Sequence, residues 1–257
     1  VNCQRGGPGL GTIQPSQGDY FQACKGGGHG DYRLIVLAPA SVQEMHDFVA
    51  LGFDLAFKYR NPAMILADGA IGQMMEKVVL APQRPRKTNE EIAAECRDWA
   101  TYGKPADRPR NVVTSLELQS EAMEKINLRL QAKYKAMEEN EVRYEALACD
   151  DADYVIVAFG SSARICSATV EMARAEGIRL GMLRPITLYP FPTRPIAELA
   201  ARVKGFLSVE LNAGQMVEDV RLAVNGAVPV EHYGRQGGMI YSPDEVLAAL
   251  KEKLIKA

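Results

Sequence analysis

Several features that would narrow the chemistry at once are missing from this sequence. Its five cysteines, Cys3, Cys24, Cys96, Cys149 and Cys166, are odd in number and far apart, and no C-x-x-C occurs. The chain itself therefore offers neither a zinc ribbon nor an iron–sulfur cradle, and reduced thiols in a cytoplasmic setting are expected. Histidine is scarce, with three in the chain, so few imidazoles could activate a nucleophile. Cys3 reads either as such a nucleophile or as a small buried apolar residue. No apolar run approaches the roughly 20 residues a membrane-crossing helix needs. The first residues carry neither a basic region nor a signal-type apolar stretch, so export is not expected. A formal net charge of −2 gives no reason to expect nucleic acid or an anionic membrane as partner. Two nucleotide motifs are also absent: counting from Gly7 and Gly9 puts Thr12 where G-x-G-x-x-G needs its last glycine, and Gly103-Lys104 runs into Pro105.

What is present is a chain of 257 residues, 47% hydrophobic and 24% charged, long enough for two domains with separate cores. It opens on Val1-Asn2-Cys3-Gln4-Arg5-Gly6-Gly7-Pro8-Gly9-Leu10-Gly11. Glycines let a ligand touch the main chain, and an arginine among them offers a fixed fork of donors for a carboxylate or phosphate. The plainer reading is a strand-to-loop turn. A strand usually needs about five residues, so the opening reads as the end of a longer one, and an upstream piece of the first domain is expected.

Along the chain, Gln17-Gly18-Asp19 forms a turn and an N-cap for a helix at Tyr20–Ala23. A second glycine-rich loop, Lys25–Asp31, encloses His29. Leu34–Leu37 and Ala63–Ala67 are buried strands, the second stopped by Asp68-Gly69. Between them Ser41 and Glu44 make a capping box for a helix reaching Tyr59. Pro82, Pro85, Pro105 and Pro109 mark an exposed connecting segment. Thr114-Ser115-Leu116-Glu117 supplies another capping box, before an amphipathic helix with Met123, Ile126, Leu130, Tyr134 and Met137 on one stripe. From Asp153 strands and helices alternate: strands at Tyr154–Phe159, Arg179–Pro185, Phe206–Glu210 and Val228–His232, and helices around Cys166, at Ile196–Val203, at Met216–Val224 and after Ser242. That order predicts an α/β fold with a doubly wound, mainly parallel sheet.

Several of these stretches together resemble the α subunit of the 2-oxoacid:ferredoxin oxidoreductases. Gln4-Arg5-Gly6-Gly7-Pro8 is similar to the family's Q-R-G-G-P loop, and Gly28-His29-Gly30-Asp31 to its G-H-G-[ED] turn. Arg184–Pro192, Glu210–Arg221 and Gly234-Arg235-Gln236-Gly237-Gly238 resemble further family segments, in the right order. The Gly-Pro-Gly-Leu-Gly form of the first loop looks most like the branched-chain, 2-oxoisovalerate type; the 2-oxoglutarate type usually has Ser-Thr-Gly after the proline. The resemblance implies the C-terminal half of a thiamine-diphosphate pyrimidine-binding domain (residues 1–85), a linker with a long helix (86–150) and a transketolase C-terminal-like domain (151–257). It implies oxidative decarboxylation of a 2-oxoacid with coenzyme A, on thiamine diphosphate with Mg²⁺ shared with a β subunit. Electrons would pass to ferredoxin through iron–sulfur clusters on partner subunits, with γ/δ subunits completing the assembly. The glutamate that family chemistry places on the pyrimidine ring lies upstream of the Q-R-G-G-P loop and matches no position here. A non-catalytic assembly subunit of the same fold is the alternative from another class.

The resemblance further implies that Arg5 pairs with the 2-oxoacid carboxylate, that Gly6 and Gly7 let the cofactor approach the main chain, and that His29 donates to the substrate or to an intermediate oxygen. His29 bonding only to its own loop is the competing reading. Gln17 and Asp19 are expected as turn and cap residues, Asp68 as a ligand contact or a turn cap, and Glu210 and Gln215 as interface structure. For Gly234–Gly238 an anchor loop is expected, with a coenzyme A contact as the alternative.

Overall fold

The computed structural model describes residues 1–100, 103–104 and 106–256; Pro105, counted above with the connecting segment, lies outside them. In chain order the strands and helices are β1 (Asn2–Gln4), α1 (Tyr20–Cys24), β2 (Ile35–Leu37), α2 (Val42–Tyr59), β3 (Ala63–Asp68), α3 (Asn89–Glu95), α4 (Ser120–Asn140), β4 (Tyr144–Leu147), β5 (Tyr154–Val157), α5 (Gly160–Ala175), β6 (Leu180–Pro185), β7 (Thr187–Tyr189), α6 (Thr193–Ala200), β8 (Gly205–Glu210), α7 (Met216–Val224), β9 (Val230–Gly234) and α8 (Pro243–Leu250). Two compact units result: Val1–Val79 with Ala132–Ala257, and Leu80–Gln131.

Within the first unit, and among the described residues, two sheets form. One runs β1-β3-β2-β7, the other β4-β6-β5-β8-β9. In the second sheet β6, β5, β8 and β9 are parallel, and β5, β6 and β8 are almost wholly buried, as the near-continuous apolar runs of parallel strands require. Ile156, Leu180, Leu207 and Val209 from the sheet pack with Cys166, Val170 and Ala173 of α5 and Val246 and Leu250 of α8. Each large side chain buried there contributes roughly 1.5–3 kcal/mol. This is the doubly wound α/β arrangement the alternating pattern predicts.

Two strands escaped the pattern. β4 runs antiparallel to β6 along an edge, and all four of its residues are exposed, so it shows no alternation. β7, only three residues before a proline, leaves the second sheet's neighbourhood to pair antiparallel with β2 of the first. Following directly on β6, it links the two sheets.

The cap at the start of α2 is close to expectation. Glu44 N–H donates to Ser41 Oγ at 3.1 Å, but Glu44 Oε2 accepts from Ala40 N–H at 2.6 Å rather than closing a reciprocal box on Ser41. The expected box at Thr114–Glu117 is a correction: Thr114 Oγ1 accepts from Leu116 N–H at 3.1 Å, a local turn, and the helix begins at Ser120. Such hydroxyl turns compete with helix initiation. In the Leu80–Gln131 unit the reciprocal capping box belongs instead to Thr88 and Glu91, at the head of α3. At the C-terminus Ser242 and Glu245 cap α8 reciprocally, as read from the sequence.

Candidate functional site

The first loop is held at its root by Gln4, which is buried at the end of β1. Its Nε2 donates to Ala67 O at 3.2 Å, its Oε1 accepts from Asp19 N–H at 2.9 Å, and its carbonyl accepts from Gly69 N–H at 2.9 Å. From there the chain curls back on itself: Gly6 N–H donates to Gln14 O at 2.9 Å and Thr12 N–H to Gly6 O at 2.7 Å, while Arg5 faces Pro15. This tight return is why Gly11 is a glycine. It sits at φ +53°, where a Cβ would lie 1.8 Å from the Gly6 carbonyl oxygen.

Arg5 is exposed, and its Nη1 donates to the carbonyls of Leu10 and Thr12, the latter at 3.3 Å. Among the described residues only that nitrogen is engaged, so Nε and Nη2 remain as donors. Arg5, Gly6, Gly7, Pro8 and Gly9 line a cavity of about 270 Å³ with Asn2, Cys3 and Asp19. A guanidinium edge beside bare glycine backbone suits a small carboxylate. Arg5, Gly6 and Gly7 are thus brought together. His29 is exposed on the Lys25–Asp31 loop and is not among the residues lining this cavity. Cys3 is exposed at the cavity wall, which corrects the expectation of a small buried residue. Burial pushes the Cys24 and Cys166 thiols up, away from thiolate chemistry.

The acidic and amide residues singled out in the sequence form a different structure. Asp68, buried at the end of β3, accepts from Ala70 and Ile71 N–H through Oδ1 at 3.0 and 3.2 Å. It also takes Ser161 Oγ at 2.6 Å and Ser161 N–H at 3.1 Å. It therefore caps both the 3-10 turn Ile71–Gln73 and the N-terminus of α5 in the other half of the unit. Gln17 is fully buried beside it. Its Nε2 donates to Phe159 O at 2.7 Å, and its Oε1 accepts from Ser162 Oγ at 2.6 Å and Leu211 N–H at 3.0 Å. Gln17 is thus a cross-domain link, more than the turn residue expected. Asp19 sits at the N-cap position of α1, yet its carboxylate accepts from Asn2 Nδ2 at 3.1 Å instead.

Glu210 ends β8 with both oxygens saturated. It accepts from the N–H groups of Gln215, Met216 and Val217 at the head of α7 (3.2, 2.7 and 2.9 Å), and from Ser208 Oγ and Asn212 Nδ2 at 3.0 Å each. Gln215 bridges back, donating to Gly18 O and accepting from Phe21 N–H, both at 2.8 Å. Arg184 adds a buried clamp, bidentate on Glu44 at 2.6 and 2.8 Å and bonded to Glu145 at 2.8 Å. Against Glu210 lies His232, its Nε2 4.0 Å from Oε1 and, among the described residues, without a hydrogen-bond partner. Burial holds this imidazole below its ordinary range. Burial, the largest cause, acts with the smaller repulsion from Lys253 and Arg221 against the attraction of Glu210, and the net direction is down.

A larger cavity, about 790 Å³, lies beside Cys24, Arg33, Tyr189 and Phe191, but its charges are largely paired within its own wall, Lys25 with Asp219 and Arg194 with Glu198. The residue that sequence reasoning passed over is Gln4, the anchor under Arg5; its place inside the Q-R-G-G-P stretch was the available signal.

A family model described as the thiamine-diphosphate-binding domain of pyruvate flavodoxin/ferredoxin oxidoreductase matches residues 1–144, and one for core domain II of pyruvate:ferredoxin oxidoreductase matches residues 152–246. The chain is 48% identical over 254 residues to the ketoisovalerate oxidoreductase subunit VorB of Methanothermobacter thermautotrophicus, covering 98% of this chain and 69% of that one. It is 36% identical over 267 residues to the 2-oxoglutarate synthase subunit KorA of Methanothermobacter marburgensis, covering 96% of this chain and 71% of the relative. Among solved structures it is similar to a 2-oxoglutarate:ferredoxin oxidoreductase from Magnetococcus marinus, with 2-oxoglutarate, coenzyme A and succinyl-CoA bound. The TM-score is 0.76 at 21% identity, a likeness of fold that covers 98% of this chain and 48% of that chain. With its first 144 residues matched by the thiamine-diphosphate-binding domain and most of the remainder by core domain II, the chain belongs to the 2-oxoacid:ferredoxin oxidoreductase family.

Proposed function

We propose that this chain is part of the α subunit of a 2-oxoacid:ferredoxin oxidoreductase acting on a branched-chain 2-oxoacid. 2-Oxoisovalerate and coenzyme A would be converted to the acyl-CoA and CO₂, with the electron pair passing to ferredoxin. The observation that carries this reading is the gap between 48% identity to a ketoisovalerate oxidoreductase subunit and 36% to a 2-oxoglutarate synthase subunit. The Gly-Pro-Gly-Leu-Gly loop agrees with it.

Arg5 holds the substrate carboxylate through the guanidinium edge that its own loop does not use. Gly7, whose ideal Cβ position has only Gly9 N nearby, at 4.0 Å, lets a ligand approach the main chain. Gly6 serves the same wall of the cavity. His29, exposed on its glycine loop, is assigned as a donor to the substrate or to an intermediate oxygen. Thiamine diphosphate, when bound, supplies the carbanion that attacks the oxo carbon. The residues here fit one edge of such a site and not the whole cofactor. The one carboxylate at the cavity, Asp19, is occupied with Asn2, and among the described residues no group of three or more His, Cys, Asp or Glu could hold a metal. On the family resemblance, the diphosphate and its Mg²⁺ are assigned to a β subunit, and the iron–sulfur clusters to further subunits. Residues 1–85 are read as the pyrimidine-binding part, 86–150 as the linker and 151–257 as the transketolase-type domain. No helix among the described residues is long and apolar enough to cross a membrane, and a cytoplasmic location is proposed.

The test is co-expression of the full-length chain with its neighbouring subunits and a coenzyme A-dependent dye-reduction assay across 2-oxoacids. Highest kcat/KM with 2-oxoisovalerate is expected. A preference for 2-oxoglutarate overturns the substrate, and inactivity with every 2-oxoacid favours a non-catalytic assembly role.

A further inference from the structure

The segment Gly234-Arg235-Gln236-Gly237-Gly238 follows β9 and reaches across to the Arg5 loop. Both of its ends are fixed. At the root, Gly234 pairs with Glu210, and a Cβ there would lie 2.3 Å from Asn212 O and 2.7 Å from Glu210 O. One residue on, Arg235 Nη1 bonds Glu245 Oε1 at 2.7 Å, and Glu245 is itself held in the capping box of α8. At the tip, Gly237 and Gly238 lie directly against the Arg5 loop. A Cβ on Gly6 would come within 2.6 Å of Gly237 C and 2.7 Å of Gly238 N. A Cβ on Gly238, whose φ is +93°, would come within 2.4 Å of Gln14 Cβ and 2.9 Å of Thr12 Cγ2. Thr12 and Gln14 are the residues that close the loop around Arg5: Thr12 O accepts from the guanidinium, and Gln14 O accepts from Gly6 N–H.

We infer that the Gly234–Gly238 segment is a positioning strut for Arg5, with Gly238 as its contact point and Arg235 as its tether. The inference rests on Arg5 binding the substrate carboxylate. Real Cβ contacts essentially never fall below 3.0 Å, so the glycine main chain of the segment packs directly on the Gly6 main chain and on the Thr12 and Gln14 side chains, with no room for a side chain between them. Any displacement of the strut is passed to Thr12, whose carbonyl holds the guanidinium, and to Gln14, whose carbonyl holds the Gly6 N–H next to Arg5. The strut continues β9, beside the end of β8, and is tethered to the head of α8, so the domain after residue 151 sets the geometry of a substrate contact in the domain before residue 85. A misplacement of about 1 Å at such a contact costs on the order of a hundredfold in rate.

The test uses the full-length chain assembled with its partner subunits. 2-Oxoisovalerate is titrated at saturating coenzyme A, and coenzyme A at saturating 2-oxoacid. Gly238→Ala is expected to raise KM for the 2-oxoacid by about tenfold or more while KM for coenzyme A stays near wild type. Arg235→Ala is expected to raise it about threefold, and Arg235→Lys, which keeps a cation for Glu245, to return it to within about twofold of wild type. A merely structural role would not split the two KM values in this way. Unchanged KM for the 2-oxoacid in assembled Gly238→Ala and Arg235→Ala enzymes overturns the strut. So does an equal rise in both KM values. If Gly238→Ala does not assemble, Arg235→Ala with its lysine rescue decides alone. Arg5→Ala, measured alongside, separates the two readings: a raised KM there with unmoved strut variants removes only the strut, whereas an unmoved KM in Arg5→Ala removes the assignment of Arg5 itself.

Discussion

Along the seam where the two halves of the first unit meet, Gln17, Asp68 and Glu210 are buried, and each of their side-chain oxygens accepts at least one hydrogen bond. Twelve residues before Gln17, Arg5 stands exposed on a glycine loop with a single nitrogen engaged. Of the buried set only Asp68 reads in the sequence as a ligand contact or a turn cap, because it stands at a strand's carboxyl end, where α/β sheets place ligands. In the structure those groups are engaged by helix N-termini and by neighbouring hydroxyl, amide and backbone groups, and a carboxylate such as Glu210, with at least two donors on each oxygen, has little to offer a substrate. Arg5, whose Nε and Nη2 are not engaged among the described residues, is at the surface. Polar satisfaction, more than burial or residue type, separates the groups that hold this fold from those available to bind.

That contrast can be broken from the buried side first. Glu210→Ala removes the acceptor of three backbone N–H groups and two side chains, and is expected to destabilise the unit by about 3–5 kcal/mol. Equilibrium denaturation would read this, and a change under about 1 kcal/mol would remove Glu210 from the scaffold. Asp68→Ala leaves the α5 N-terminus and the Ser161 hydroxyl without their acceptor, and a loss of about 2–3 kcal/mol is expected in the same measurement.

A smaller, pH-dependent effect belongs to His232. Its folded pKa lies below the unfolded value of about 6.5, because burial disfavours the imidazolium. The contribution to stability is therefore fully present above pH 6.5 and is lost as pH falls through the folded pKa. His232→Gln should flatten this part of the Tm-against-pH curve, and an unchanged slope would show that another group carries it. The smallest effect expected is that of Arg5→Ala on stability, under about 0.5 kcal/mol for an exposed side chain away from the core. A large loss would put Arg5 with the scaffold and erase the contrast.

Much of the fold was legible, and the two missed strands share a cause, the lack of a local signal. The apolar run Ala63–Ala67 with its Asp68-Gly69 stop, the Ser41 cap of α2, the span of α7 and the Ser242 box all correspond to observed elements because their signals are local. β4 has no buried face to write an alternation into its sequence, and β7 exists only through a partner about 150 residues away in the chain. The same holds at the candidate site. The glycines around Arg5 announce a close backbone approach, but what approaches Gly6 is Gly237. The roles of Gln17 and Asp68 depend on Ser161, Ser162 and Leu211, whose positions no local pattern in residues 1–80 encodes.

The most direct test of the functional reading is the steady-state kinetics of Arg5→Ala in the assembled full-length enzyme with 2-oxoisovalerate and coenzyme A. A charge-assisted pair with the carboxylate is worth about 1.5–3 kcal/mol, so kcat/KM should fall roughly 10- to 150-fold, mostly through a higher KM for the 2-oxoacid. A kcat/KM equal to that of wild type would contradict it.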